Sequence, residues 1–151
     1  MDIVPVCSIK GTRRSVILKI LVIDGQGGKI GRQLIETILA SVSGAEILAV
    51  GTNSTATSNM MKGGAKNAAT GENAVIVGCR SADVIIGPIG IVLADALFGE
   101  ITPAMSAAVG SSTAQKILIP INKCGAIVAG TQGQTITDLI QYAVAALKDL
   151  G

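Results

Sequence analysis

The stretch Leu18-Lys-Ile-Leu-Val-Ile-Asp-Gly-Gln-Gly-Gly-Lys-Ile-Gly31 constrains this chain more than any other. A short apolar run ends in a glycine-rich turn, and the turn feeds directly into an amphipathic segment. That order predicts strand, turn and helix. The first N–H groups of a helix lack backbone partners and carry partial positive charge, so such a turn is suited to hold an anion. Glycines at Gly25, Gly27 and Gly28 let a ligand approach the backbone with no Cβ in the way. The spacing departs from the dinucleotide fingerprint, because Ile30 stands where its third glycine belongs and Gly31 follows one place later. No Gly-Lys-Ser/Thr follows either, so this is not a Walker loop. The plainer reading is a tight turn whose glycines serve packing alone.

The rest of the chain keeps the same alternation. Ile30, Leu34, Ile35, Ile38, Leu39 and Val42 recur at helical spacing, with Arg32 and Glu36 one turn apart on the other side. Ser43-Gly44 closes that helix, and Ala45 to Gly51 reads as a second buried strand. Ser54, Thr55 and Thr57 suit the cap of a helix running to Gly63-Gly64. Ala65 to Glu72 reads as a loop. A short helix is expected near Asn73 to Arg80; Asn73 to Gly78 suits a strand equally on propensity, but a clear strand, Ala82 to Gly87, follows at once, which favours the helix. Ile91 to Phe98 is apolar almost all round except for Asp95, and predicts a helix buried on every side. In a chain of 151 residues that burial points to a subunit interface, hence a homodimer through residues 91–98. Asp95 would then be a functional carboxylate or a bonded structural one. Thr102 and Pro103 start another helix, Gln115 to Pro120 is a fourth strand, and Gly125 to Gly130 is read as a fifth. A strand bent at Pro120, or a short antiparallel pair, also fits there. The last helix runs from about Thr137 to Leu150.

These elements predict an α/β fold: a Rossmann-like, doubly wound three-layer sandwich with a mostly parallel sheet of four or five strands. Residues 1–17, without periodicity, read as a flexible extension or a mis-assigned start, and 18–151 as one domain. In such sheets ligands sit beyond the C-terminal strand ends. The candidate binding residues are therefore Asp24, Gly25, Gln26, Gly27, Gly28, Lys29, Ile30 and Gly31 in the first turn. Thr52, Asn53 and Ser54 follow the second strand, and Gly87, Pro88, Ile89 and Gly90 leave the third. A NAD site places an acid after its second strand; here Thr52-Asn53-Ser54 stand instead, which favours NADP or a mononucleotide. An acid–base group, if there is one, must come from Asp24, Glu72, Glu100 or Lys123, because the chain has no His. The third strand ends in Gly87-Pro88 rather than an aspartate, which excludes a phosphoreceiver.

Composition narrows the partners to a small phosphorylated ligand. A net charge of +2, one Tyr, one Phe and no Trp argue against nucleic acid. Cys7, Cys79 and Cys124 are odd in number and far apart, which suits reduced thiols in a cytoplasm, and they offer no zinc set. The run Val84 to Gly99 is broken by Gly87, Pro88, Gly90 and Asp95 and is too short for a membrane span. Regulatory or assembly proteins without catalysis remain an alternative, as do small enzymes acting on phosphorylated substrates.

The chain also resembles a bacterial family known as domain of unknown function 3842. The resemblance rests on Ile23-Asp-Gly-Gln-Gly-Gly28, Gly51-Thr-Asn53, Ala69-Thr-Gly-Glu-Asn-Ala74, Ala82-Asp-Val-Ile-Ile-Gly-Pro-Ile-Gly-Ile91, Gly99-Glu-Ile-Thr-Pro103 and Lys116-Ile-Leu-Ile-Pro120. It implies a domain beginning near Leu18 and no particular activity.

Overall fold

The computed structural model describes residues 17–121 and 125–151. The apolar run becomes β1 (Lys19–Asp24), and the segment after the glycine turn becomes α1 (Lys29–Ser41). Then come β2 (Glu46–Gly51), α2 (Ser54–Lys62), β3 (Asn67–Thr70), α3 (Glu72–Ser81) and β4 (Val84–Pro88). A 3-10 turn (Ile89–Val92), α4 (Pro103–Ser111), β5 (Gln115–Ile119) and α5 (Ile136–Lys148) complete the chain. All five strands are parallel, in the order β3-β2-β1-β4-β5. This is the Rossmann-like α/β sheet that the alternation predicts.

Side chains alternate along β1, and the two faces of the sheet bury different sets. Ile20 and Val22 pack with Leu34, Ile35 and Ile38 of α1, Met60 of α2, and Ile140, Val144 and Leu147 of α5. Leu21 and Ile23 pack with Val75 and Cys79 of α3, Ile91, and Met105 and Val109 of α4. The strand order reverses between β1 and β4, whose crossovers leave to opposite faces. That is where a crevice opens at the C-terminal edge of such a sheet.

Four expectations give way. Residues 67–70 form a strand, β3, although Asn67, Ala68 and Ala69 are poor strand formers. Its four residues pair with Leu48 to Gly51 of β2, and the pairing rather than the sequence makes it extended. Residues 125–130 form no strand. Ile127 is 91% exposed there, and another parallel neighbour for β5 would need a crossover that so short a connection does not provide. The expected helix over 91–98 is absent as well. The chain makes one 3-10 turn and then bends, with Asp95, Leu97 and Phe98 all at left-handed φ (65°, 55° and 56°). Ile91 and Ala96 are buried within the domain while Phe98 is fully exposed. The homodimer drawn through an apolar helix therefore loses its element, and Asp95 is exposed rather than buried. Finally, Asn53 caps α2: its side chain accepts from Ala56 N at 2.8 Å, so Ser54, Thr55 and Thr57 do not.

Cys79 is a free, buried thiol; Cys7, Lys123 and Cys124 lie outside the described residues, as does nearly all of the expected 1–17 extension. Among the described residues no helix is long and apolar enough to cross a membrane, and no group of three or more His, Cys, Asp or Glu side chains could hold a metal ion.

Candidate functional site

The turn between β1 and α1 is held from below and from one side. Asp24, the last residue of β1, is only 4% exposed. Its carboxylate accepts from Gly25 N at 2.8 Å and from Gly31 N at 2.7 Å. One buried carboxyl thus satisfies the amide that opens the turn and an orphan donor in the first turn of α1, a task usually left to a capping side chain or a ligand. Burial pushes the Asp24 carboxyl above its ordinary range; the N–H bonds from Gly31 and Gly25 oppose that shift, and the charge of Glu100 adds to it.

From the side, α2 holds the turn's carbonyls. Asn53 Nδ2 donates to Gln26 O at 3.0 Å, and Asn59 Nδ2 donates to Gly27 O at 2.9 Å. A trans peptide is planar, so the N–H of Gly27 points opposite to the Gln26 carbonyl, away from α2. Among the described residues neither Gly27 N nor Lys29 N has a protein acceptor. On the side away from α2 lies a cavity of about 380 Å3, lined by Asp24 through Ile30, Pro88, Leu97, Ile121 and Ile136. It occupies the switch point between β1 and β4.

The glycines divide by task. A Cβ at Gly28, where φ is +71°, would meet the Ala56 backbone at 2.6 Å, so this glycine sets the approach of α1 to α2. A Cβ at Gly27 would meet nothing within 4 Å. Gly27 is the turn's open position.

The candidate residues separate accordingly. Asp24, Gly25, Gln26, Gly27, Gly28, Lys29, Ile30 and Pro88 line the cavity. Gly31 lies beneath the turn, against Met60. Gly87 and Gly90 are buried, and Ile89 does not line the cavity. Ser54 lines a different hollow, with Gly27, Thr55, Ser58, Asn59 and Lys62, on the α2 side. Glu72 is exposed at the start of α3. Sequence reasoning missed Leu97, Ile121 and Ile136 as cavity walls. The apolar run places Leu97 in a helix, while Ile121 follows β5 and Ile136 opens α5, and only the folded chain brings them together.

Thr52 and Asn53 engage an acid that sequence distance concealed. Glu100, from the long connection between β4 and α4, reaches across the sheet edge to the end of β2. Its Oε1 accepts from Thr52 Oγ1 at 2.9 Å, from Asn53 Nδ2 at 2.5 Å and from Gln26 N at 3.2 Å. Its Oε2 also lies 3.2 Å from Gln26 N. An acid thus stands beside the end of β2 although none follows that strand in sequence.

Over residues 19–150 the chain matches the family model Domain of unknown function (DUF3842), and it belongs to that family. A search of curated proteins gives no match. Among solved structures it is similar to a dodecameric FMN-dependent UbiX-like decarboxylase from Escherichia coli O157:H7, at 17% identity and a TM-score of 0.49, covering 88% of this chain and 94% of that one. It is also similar to a nucleoside-diphosphate-sugar epimerase from Pseudomonas aeruginosa, at 13% identity and a TM-score of 0.42. That match covers 86% of this chain and 46% of the other.

Proposed function

We propose that this member of the family binds a mononucleotide or similarly sized phosphorylated metabolite in the cavity between β1 and β4. The observation that carries the reading is the pair of N–H groups at Gly27 and Lys29, without protein acceptors, on a turn whose carbonyls are tied back to α2. A phosphate there gains two backbone donors, the partial positive charge of the α1 N-terminus and the Lys29 ammonium. Pro88, Leu97, Ile121 and Ile136 offer apolar walls for a base or ring.

Size favours one nucleotide over two. A space of about 380 Å3 lies near the low end of small-molecule sites, which run from roughly 300 to 1,000 Å3. The path a dinucleotide would take toward the end of β2 is also crossed by Glu100.

Thermal-shift measurements against NAD(H), NADP(H), ATP, GTP, FMN and sugar phosphates test this. A mononucleotide at about 100 times its Kd should stabilise the protein by roughly 2.7 kcal/mol. Gly27→Val should remove that shift without lowering the melting temperature of the free protein, because its side chain enters open space. If the variant responds to every ligand as the wild type does, the turn is only a turn.

A further inference from the structure

We propose that Gln26 N–H, Thr52 Oγ1–H and Asn53 Nδ2–H form a second anion seat, and that Glu100 is its resident occupant, competing with phosphate for those donors. Three donors from two separate connections converge on one carboxylate. One of them is a backbone amide of the glycine turn, the type of donor that takes phosphate in other turns of this kind. The seat is distinct from the pair at Gly27 and Lys29. It lies beside β2, involves other donors, and does not require a ligand in the cavity.

The occupant sits on a segment suited to leave. Glu100 follows Asp95, Leu97 and Phe98, three non-glycine residues at left-handed φ, and Gly99 at +86°. A non-glycine residue in that region is strained, and the surrounding contacts must hold it there. Backbone hydrogen bonds within the segment, such as Asp95 N to Ile101 O, supply some of those contacts, and the Glu100 side chain supplies the ones to Gln26, Thr52 and Asn53. A phosphate that takes the seat presents the same donors with an acceptor of equal or greater charge, releasing the Glu100 side chain to water. Leu97, three residues before Glu100, lines the neighbouring cavity.

Calorimetric titration of inorganic phosphate into the full chain tests the proposal. Glu100→Ala should bind phosphate at least about tenfold more tightly than wild type, equivalent to about 1.4 kcal/mol. Adding Thr52→Val to Glu100→Ala should cancel the gain, whereas adding Gly27→Val should preserve it, because Gly27 N–H faces the other side of the turn. That last pair separates this seat from the cavity: phosphate gain can survive when nucleotide binding fails, and the reverse. Unchanged phosphate affinity in a folded Glu100→Ala protein overturns the proposal. If Glu100→Ala does not fold, Glu100→Gln keeps the side-chain size and removes the charge. Phosphate should then shift the Gln26 amide in 15N spectra of Glu100→Gln at lower concentration than in wild type. A Gln26 resonance that responds alike in both proteins overturns the proposal equally.

Discussion

Two crossovers leave the central strands of this sheet, and they are built on opposite principles. The first, from Asp24 of β1 to Lys29 of α1, is short, and its shape follows from local rules. An acid at the strand end takes the Gly25 amide and the orphan N–H of Gly31, and of the two left-handed positions, Gln26 and Gly28, the one packed against α2 is a glycine. The second, from Ile89 after β4 to Thr102 before α4, is long and apolar, and it ignores the helical pattern written into it. Its left-handed residues and its exposed Phe98 are tolerated because Ile91, Ala96 and Ile101 are buried, the backbone bonds to itself from Asp95 to Ile101, and Glu100 is anchored on Gln26 of the first crossover and on Thr52 and Asn53 after β2. The lesson is one of dependence. The short turn is fixed by the acid beneath it and by Asn53 and Asn59 at its side, whereas the long one combines its own backbone hydrogen bonds with the hold of Glu100 on the turn and on the end of β2.

The largest effect expected from breaking this comparison is at Gly28. Gly28→Val places a Cβ 2.6 Å from the Ala56 backbone at a φ of +71°. It should cost about 3 kcal/mol or more, read as a lowered midpoint in guanidinium denaturation. An intact midpoint would mean that α1 and α2 can part without cost.

Next is Asp24. Asp24→Ala strips Gly25 N and Gly31 N of their buried acceptor and should cost about 2 kcal/mol. The pH dependence has a definite sign. Burial raises the Asp24 value, so the folded protein holds this proton to higher pH than the unfolded chain. Its contribution is most favourable at low pH and declines as pH rises from the ordinary carboxylate value through the raised one. The stability difference between wild type and Asp24→Asn should therefore move in favour of wild type as pH is lowered across that window. Denaturation of both proteins at a series of pH values checks it, and a difference moving the other way would show that the N–H bonds outweigh burial.

Glu100→Ala should be milder, at about 1 kcal/mol, because its partners lie near the surface, where water can replace a lost acceptor. Its signature is local: faster hydrogen exchange across residues 93–101 and at Gln26, whose amide loses its acceptor, with the rest of the Asp24 to Gly31 turn unchanged. Exchange rising equally in both crossovers would end the claim that one depends on the other. The smallest effect belongs to Gly27→Ala, expected within about 0.5 kcal/mol because its Cβ meets nothing. Adjacent glycines in one turn should thus differ several-fold in cost.

The amino-acid sequence by itself determined the alternation of elements, four of the five strands, all five α-helices and the glycine turn with its acid. Those features arise from periodicity, capping and turn chemistry acting over a few residues, as at Thr102-Pro103 and Asp24 to Gly31. Only the tertiary structure decided the rest. Asn67 to Thr70 is extended because the edge of β2 offers it hydrogen bonds. Ile91 to Phe98 bends because the sheet edge can bury Ile91 and Ala96 but has no place for a helix that is apolar on every side. Glu100 reaches Thr52 and Asn53 because the strand order sets β1 between β2 and β4, so a connection leaving β4 can cross the end of β1 to that of β2. Contacts between residues that far apart in the chain leave no pattern in local sequence, since their energy depends on where other elements have already placed the chain.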